Sequence, residues 1–145
     1  MTDRPDLAAM ISRLSRPLID AELPVLREHG LSMWAYMVLL ALDERPLRTQ
    51  AALAEAIGAD KTRIIGFLDD LQQRGLIDRT PDPTDRRARL LSLTAEGRRV
   101  RDSAQAGIQR KEERLLGRLP EEDRRAFLRS LQTLAALSPE EIVGE

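Results

Sequence analysis

One stretch of this chain interrupts an otherwise helical pattern, and the rest must be arranged around it. From Leu76 to Thr94 the 3.6-residue apolar period lapses. Leu76-Ile77-Asp78-Arg79 reads as a short strand, and Thr80-Pro81-Asp82-Pro83-Thr84-Asp85 is turn chemistry with two prolines. Arg89 to Thr94 alternates charged or polar with apolar side chains, which puts Leu91 and Leu93 on one face. Two strands with Arg86 and Arg87 between them predict a β-hairpin wing with those two arginines at its tip.

The residues before the wing predict four helices. The first, about 5–28, carries Leu7, Met10, Ile11, Leu14, Leu18, Ala21 and Val25 on one stripe, with a kink or break expected at Pro17 and Pro24. His29-Gly30 closes it. Ser32 caps a second helix to about residue 43, apolar on nearly every side and so central to the domain. After the connector Arg45-Pro46-Leu47, Thr49 caps a short third helix, 50–57, and Gly58 ends it. Asp60 caps the fourth, about 61–74, whose inward side is Ile64, Phe67, Leu68 and Leu71. Lys61, Arg63, Gly66, Asp70 and Gln73 fall on the other side, and Gly75 terminates it. Two helices joined by a turn of a few residues read as helix-turn-helix. With the wing, the expected fold is mainly α: a winged helix-turn-helix with a three-helix core plus β-hairpin wing. Thr94 opens a fifth helix to about residue 118 with a thin stripe of Val100, Ala104, Ile108 and Leu115, and a sixth follows Leu119-Pro120 with Phe127, Leu128, Leu131, Leu134 and Ala135. Such thin stripes need partners, most simply the terminal helices of a second copy. Residues 1–30 and 95–145 are therefore expected to form a dimerisation region around a winged domain at 31–94.

Composition narrows the chemistry. The chain has 145 residues, no cysteine and one histidine, which excludes disulfides, thiol redox sensing and Cys/His metal sites. Net charge is −1, so no bulk attraction to nucleic acid or membrane is built in. The longest apolar stretch, Leu31 to Leu42, is 12 residues where a membrane span needs roughly 20. The N-terminus lacks the basic start and apolar run of a secretory signal, and a cytoplasmic location is expected. Glu112-Glu113 and Glu121-Glu122-Asp123 sit among arginines, which suits helical ion pairs better than acid/base catalysis. No nucleophile–base arrangement or phosphate-cradling glycine loop accompanies them, so no enzyme and no cofactor is expected.

Asp85-x-Arg87-x-x-x-Leu91-x-Leu93-Thr94, followed by Ala95-Glu96-Gly97, resembles the wing signature of the MarR family of transcriptional regulators at every fixed position. Asp60 to Ile65, Leu71, Arg74-Gly75-Leu76 and His29-Gly30-Leu31-Ser32 are also similar to that family. The resemblance implies a homodimer whose first, fifth and sixth helices interdigitate, bound to double-stranded DNA. Each fourth helix would enter a major groove and each wing an adjacent minor groove, and both placements are physically permitted. It also implies a repressor acting at a pseudo-palindromic operator and released by a small, aromatic or phenolic ligand. A winged-helix protein-interaction module that does not bind DNA is the alternative, favoured by the near-even balance of seven basic and six acidic residues between Asp60 and Thr94 and by Gly66 on the outer side of the fourth helix.

On this basis Arg63 is expected to reach a guanine edge and Arg86 a minor groove, with Lys61 and Thr62 near a phosphate. Arg89 would touch a phosphate. Arg87 either contacts DNA or pairs with Asp85. Thr49 and Gln50 either anchor phosphate or only open their helix. His29, Trp34, Tyr36 and Met37 would line the ligand cleft that the family places between dimerisation helices and winged domain, or else pack in the core beside a backbone-bonded histidine.

Overall fold

A computed structural model describes residues 3–44 and 48–144; the expected Arg45-Pro46-Leu47 connector lies outside the described residues. The elements in chain order are α1 (Leu7–Glu28), α2 (Met33–Glu44), β1 (Arg48–Thr49), α3 (Gln50–Ile57), α4 (Lys61–Gln73), β2 (Ile77–Pro81), β3 (Arg89–Leu93), α5 (Ala95–Leu116), α6 (Glu121–Ala135) and α7 (Pro139–Val143). The chain divides into two compact units, Met1–Ile108 and Gln109–Glu145.

In the first unit, local chemistry starts and stops the helices. The hydroxyls of Ser32 and Thr49 accept the amides of Ala35 and Ala52, and the Asp60 carboxylate accepts that of Thr62, each satisfying a donor that its helix leaves unpaired. Gly58 ends α3 with φ 70°, a left-handed conformation that costs a side-chain-bearing residue more. β1, β3 and β2 form an antiparallel sheet in that order, with Ile77 opposite Leu93 and Pro81 opposite Arg89. β1 is a two-residue strand absent from the sequence-based expectation; it exists because Arg48 and Thr49 pair with Leu91 and Leu90 on β3. The core is a single apolar cluster in which Leu26, Val38, Leu39, Leu42, Leu53, Ile64, Leu68, Leu71, Ile77 and Leu91 are fully enclosed. α2 contributes three of these ten, consistent with its all-round apolar sequence.

Of the kink or break expected in α1, the break is absent: the helix is continuous from Leu7 to Glu28 with Pro17 and Pro24 inside it. Each proline removes one backbone donor, and their seven-residue spacing puts both on the same face two turns apart. The remaining ladder holds the helix through both.

Thr94 joins the wing to α5. Its hydroxyl donates to the Gly75 carbonyl at 2.6 Å and accepts the Gly97 amide at 2.9 Å, while its own amide donates to Leu76. Gly97 is buried here against the Leu76 backbone, and a Cβ at this position would collide with the Leu76 carbonyl oxygen and the Leu93 side chain. Further along α5, Arg101 is 9% exposed and its guanidinium pairs with Asp43 at the end of α2; Arg98 binds the same carboxylate at 2.6 Å.

The second unit holds the end of α5 with α6 and α7. Glu121, Glu122 and Asp123 occupy the first turn of α6, where the helix dipole favours negative charge. Arg124 pairs with Glu113, and Arg125 with Glu121. α7, also unexpected from sequence, is opened by a capping box in which Ser138 and Glu141 each accept the other's backbone amide. No side chain of α6 or α7 is buried, and Phe127, Leu131, Leu134, Ile142 and Val143 are exposed. On α1 the exposed large apolar side chains are Leu7, Ile11, Leu14, Ile19 and Leu23.

Candidate nucleic-acid interface

Seven cations lie between Asp60 and Thr94, and the fold sorts them. Arg79 leaves β2 and binds three acceptors on two helices: Asp69 and Gln72 of α4, and Gln50 of α3. Arg74, just past α4, donates at 2.7 Å to the Gly30 carbonyl and at 3.1 Å to that of His29, with Asp70 nearby. These two arginines are spent on holding the fold, and they neutralise Asp69 and Asp70. The other five, Lys61, Arg63, Arg86, Arg87 and Arg89, are exposed and have no ion-pair partner among the described residues.

Their positions follow from the elements. Lys61, Thr62 and Arg63 form the first turn of α4, at the positive end of its dipole, with the Thr62 and Arg63 amides taken by Asp60. Thr62 is turned toward its own cap: its hydroxyl donates to Asp60 at 2.9 Å. The wing tip is a turn closed by the Ala88 amide on the Asp85 carbonyl at 3.0 Å, which projects Arg86 and Arg87. Asp85 accepts the backbone amide of Arg87 at 3.0 Å, and among the described residues no ion pair joins their side chains. The carboxylate therefore shapes the turn and leaves the guanidinium of Arg87 free to act outward.

Two carboxylates in this region are held ionised by such local bonds. Asp60 lies below its ordinary value, first because of the Thr62 amide and hydroxyl, with Arg63 adding to the effect. Asp82 is lowered in the same way by the amide and hydroxyl of Thr84.

Thr49, Gln50, Lys61, Arg87 and Arg89 come together around one cleft of about 320 Å³, formed by the starts of α3 and α4 and the turn of the wing. Ile65 and Asp85 also line it. Thr62, Arg63 and Arg86 are not among its lining residues. Arg79, Gln72 and Ile65 were not singled out from sequence. The Arg79 clamp joins residues 7 to 29 positions apart, a spacing with no local signature.

The four aromatic, methionine and histidine positions lie at the junction of α1 and α2. Tyr36 is 5% exposed and belongs to the core, and Trp34 and Met37 are partly buried against it. His29 donates from Nδ1 to the Val25 carbonyl at 2.8 Å, since that oxygen can only accept. Nε2 shares a hydrogen bond with the Ser103 hydroxyl at 2.9 Å, tying this junction to α5. Among the described residues no helix is long and apolar enough to cross a membrane.

The profile of the MarR family matches residues 29–88, from the α1–α2 junction to the wing. Transcriptional regulator HosA of Escherichia coli O111:H- is 33% identical over 99 residues, which are 68% of this chain and 73% of that protein. A crystal structure of a MarR-family transcriptional regulator from Rhodococcus sp. RHA1 has a TM-score of 0.73 at 32% identity, covering 92% of this chain and 97% of its own. The transcriptional repressor CouR, bound to a 23-mer DNA duplex, has a TM-score of 0.73 at 33% identity, with 90% and 92% coverage. CouR from Rhodococcus jostii RHA1 bound to p-coumaroyl-CoA has a TM-score of 0.70 at 31% identity, with 94% and 98% coverage. With its winged helix-turn-helix, its wing signature and these relatives, the chain belongs to the MarR family of transcriptional regulators.

Proposed function

We propose that the protein is a repressor that binds a pseudo-palindromic operator in the cytoplasm as a homodimer and is released by a small ligand. The observation that carries this is the sorting of charge. Arg74 is held by the His29 and Gly30 carbonyls beside Asp70, and Arg79 by Asp69, Gln72 and Gln50, while the five cations on the first turn of α4 and on the wing have no ion-pair partner among the described residues. Unpaired cations on a helix start and a hairpin tip suit phosphates on either side of a groove. In this assignment Arg63 contacts a base edge and Arg86 the minor groove. Lys61, Thr62, Arg87 and Arg89 serve the backbone, with Thr49 and Gln50 at the start of α3. Residues 31–94 would be the DNA-binding domain, and 1–30 and 95–145 the dimerisation region. CouR, which has been seen both on a DNA duplex and with an acyl-CoA, supports a repressor with a ligand-dependent second state. His29, Trp34, Tyr36 and Met37 are the proposed ligand-side residues; the bond from His29 to Ser103 gives a ligand there a route to α5.

Selection from a random duplex pool at moderate salt tests the reading. An inverted repeat with half-sites about one helical turn apart is expected. Arg63→Ala should relax one base position in each half-site. Arg86→Ala should cost affinity with little change in the bases read in the major groove, because its contact is to the minor groove. Absence of enrichment, with or without candidate phenolic ligands, would instead point to a winged module that binds protein.

A further inference from the structure

Among the described residues, the exposed large apolar side chains lie on α1 up to Leu23 and again from Leu115 onward, with a single exception. That exception is Ile65, 45% exposed, on α4. A lone apolar side chain on a surface ordinarily carries no meaning. This one lines the cleft bordered by Lys61, Arg87 and Arg89, so it stands among the cations assigned to DNA phosphates. Next to it is Gly66, where a Cβ would meet nothing within 4 Å. The outer face of α4 is thus bare for one residue and apolar at its neighbour, in the middle of an otherwise polar surface.

The major groove offers one strongly apolar group, the thymine 5-methyl, which a hydrogen bond cannot read and an aliphatic contact can. We infer that Ile65 selects a thymine in each half-site through that methyl group, and that side-chain-free Gly66 lets α4 lie close to the base edges. The inference rests on α4 entering the major groove and adds a specificity determinant to it. Asp85, the one anion on the cleft, has its carboxylate bonded to the Arg87 amide and is held within the wing turn.

The test begins with pool selection by the wild type and by Ile65→Ala. The position is exposed and alanine favours helix, so the variant should fold, as circular dichroism will check. Wild type should fix a thymine in each half-site that the variant leaves open. Replacing that thymine by deoxyuridine in both half-sites, which removes only the methyl group, should weaken wild-type binding about tenfold. Ile65→Ala should bind both duplexes with equal affinity, near that of wild type on the uracil duplex, and Ile65→Val should keep part of the preference. Equal wild-type affinity for thymine and uracil duplexes overturns the inference and leaves the groove placement standing, as does a uracil penalty that persists in Ile65→Ala. If the wild type enriches no sequence, the groove placement falls and takes this inference with it.

Discussion

Asp60 couples the start of α4 to pH. Its carboxylate caps α4 and is bonded by both donors of Thr62, which holds it below the ordinary carboxylate value. A carboxyl lowered in the folded state contributes stability that is full above its unfolded value, and that is lost as pH falls through the folded one. The thermal midpoint of the wild type should therefore fall as pH is lowered below about 4. Asp60→Asn, which caps without titrating, should show a shallower fall over that window. Asp60→Ala should start lower at pH 7 and approach the wild type in acid. Midpoints measured from pH 2 to 6 decide this, and parallel curves for wild type and Asp60→Asn would sink it. Gly97 supports a second prediction at the same scale. The start of α5 packs against the Leu76 backbone so closely that a Cβ has nowhere to go. Gly97→Ala should cost about 3 kcal/mol in denaturant unfolding, at the upper end of what overpacking costs, despite the better helix propensity of alanine. A neutral result would mean that α5 can slide away from the wing.

At the scale of elements, the long-range ion pairs fix how α5 meets α2. The buried Arg101 is neutralised by Asp43, 58 positions away, and its Nε lies 2.8 Å from Asp102 without hydrogen-bond alignment. Removing Asp43 leaves an almost fully buried charge with only the misaligned Asp102 carboxylate beside it. Asp43→Ala should destabilise by about 3 kcal/mol in chemical denaturation, and Asp43→Leu with Arg101→Met should recover most of that loss. Failure of the double variant to recover would assign the cost to lost packing at α2. The same pair marks what the sequence could not disclose. Caps at Ser32, Thr49, Asp60 and Thr94 are legible because cap and recipient lie within three residues. The wing is legible because the two prolines, the Asp/Thr turn and the alternation at Arg89–Leu93 are local. By contrast, the bonds from Arg74 to the end of α1 and from Arg79 across α4 to α3 depend on where the fold brings distant residues. β1 is too short to carry a pattern of its own. α7 did have a local signal, Ser138-Pro139-Glu140-Glu141, a capping-box sequence with proline at the first helical position. The break expected at Pro17 and Pro24 treated each proline alone, whereas the rest of a 22-residue helix outweighs two missing bonds. At the interface, the charge count over 60–94 was legible as near-neutral, but which cations were already paired was not.

At the scale of the molecule, the apolar surface left in water sets the assembly. Leu7, Ile11 and Leu14 follow one helical stripe on α1, and Phe127, Leu131 and Leu134 follow another on α6, all more than a third exposed in the single chain. Each is worth about 1.5–3 kcal/mol if fully buried, and dispersed solvent-facing leucines rarely keep so regular a period. The proposed homodimer buries them, and two-fold symmetry would then present two α4 helices to two half-sites. The two stripes lie in different compact units, so they can be tested separately. Ile11→Glu and Leu131→Glu should each shift the sedimentation profile from dimer toward monomer at micromolar concentration. Each should leave the circular dichroism of the winged domain unchanged, because neither residue belongs to its core. A monomer keeps one α4 and one wing, so it should retain weak, salt-sensitive binding to any duplex while losing discrimination for the inverted repeat. If Leu131→Glu stays dimeric and Ile11→Glu does not, α1 alone carries the interface and the α6 stripe has another occupant. If both remain dimeric and read the repeat unchanged, the dimerisation region assigned to residues 1–30 and 95–145 is wrong.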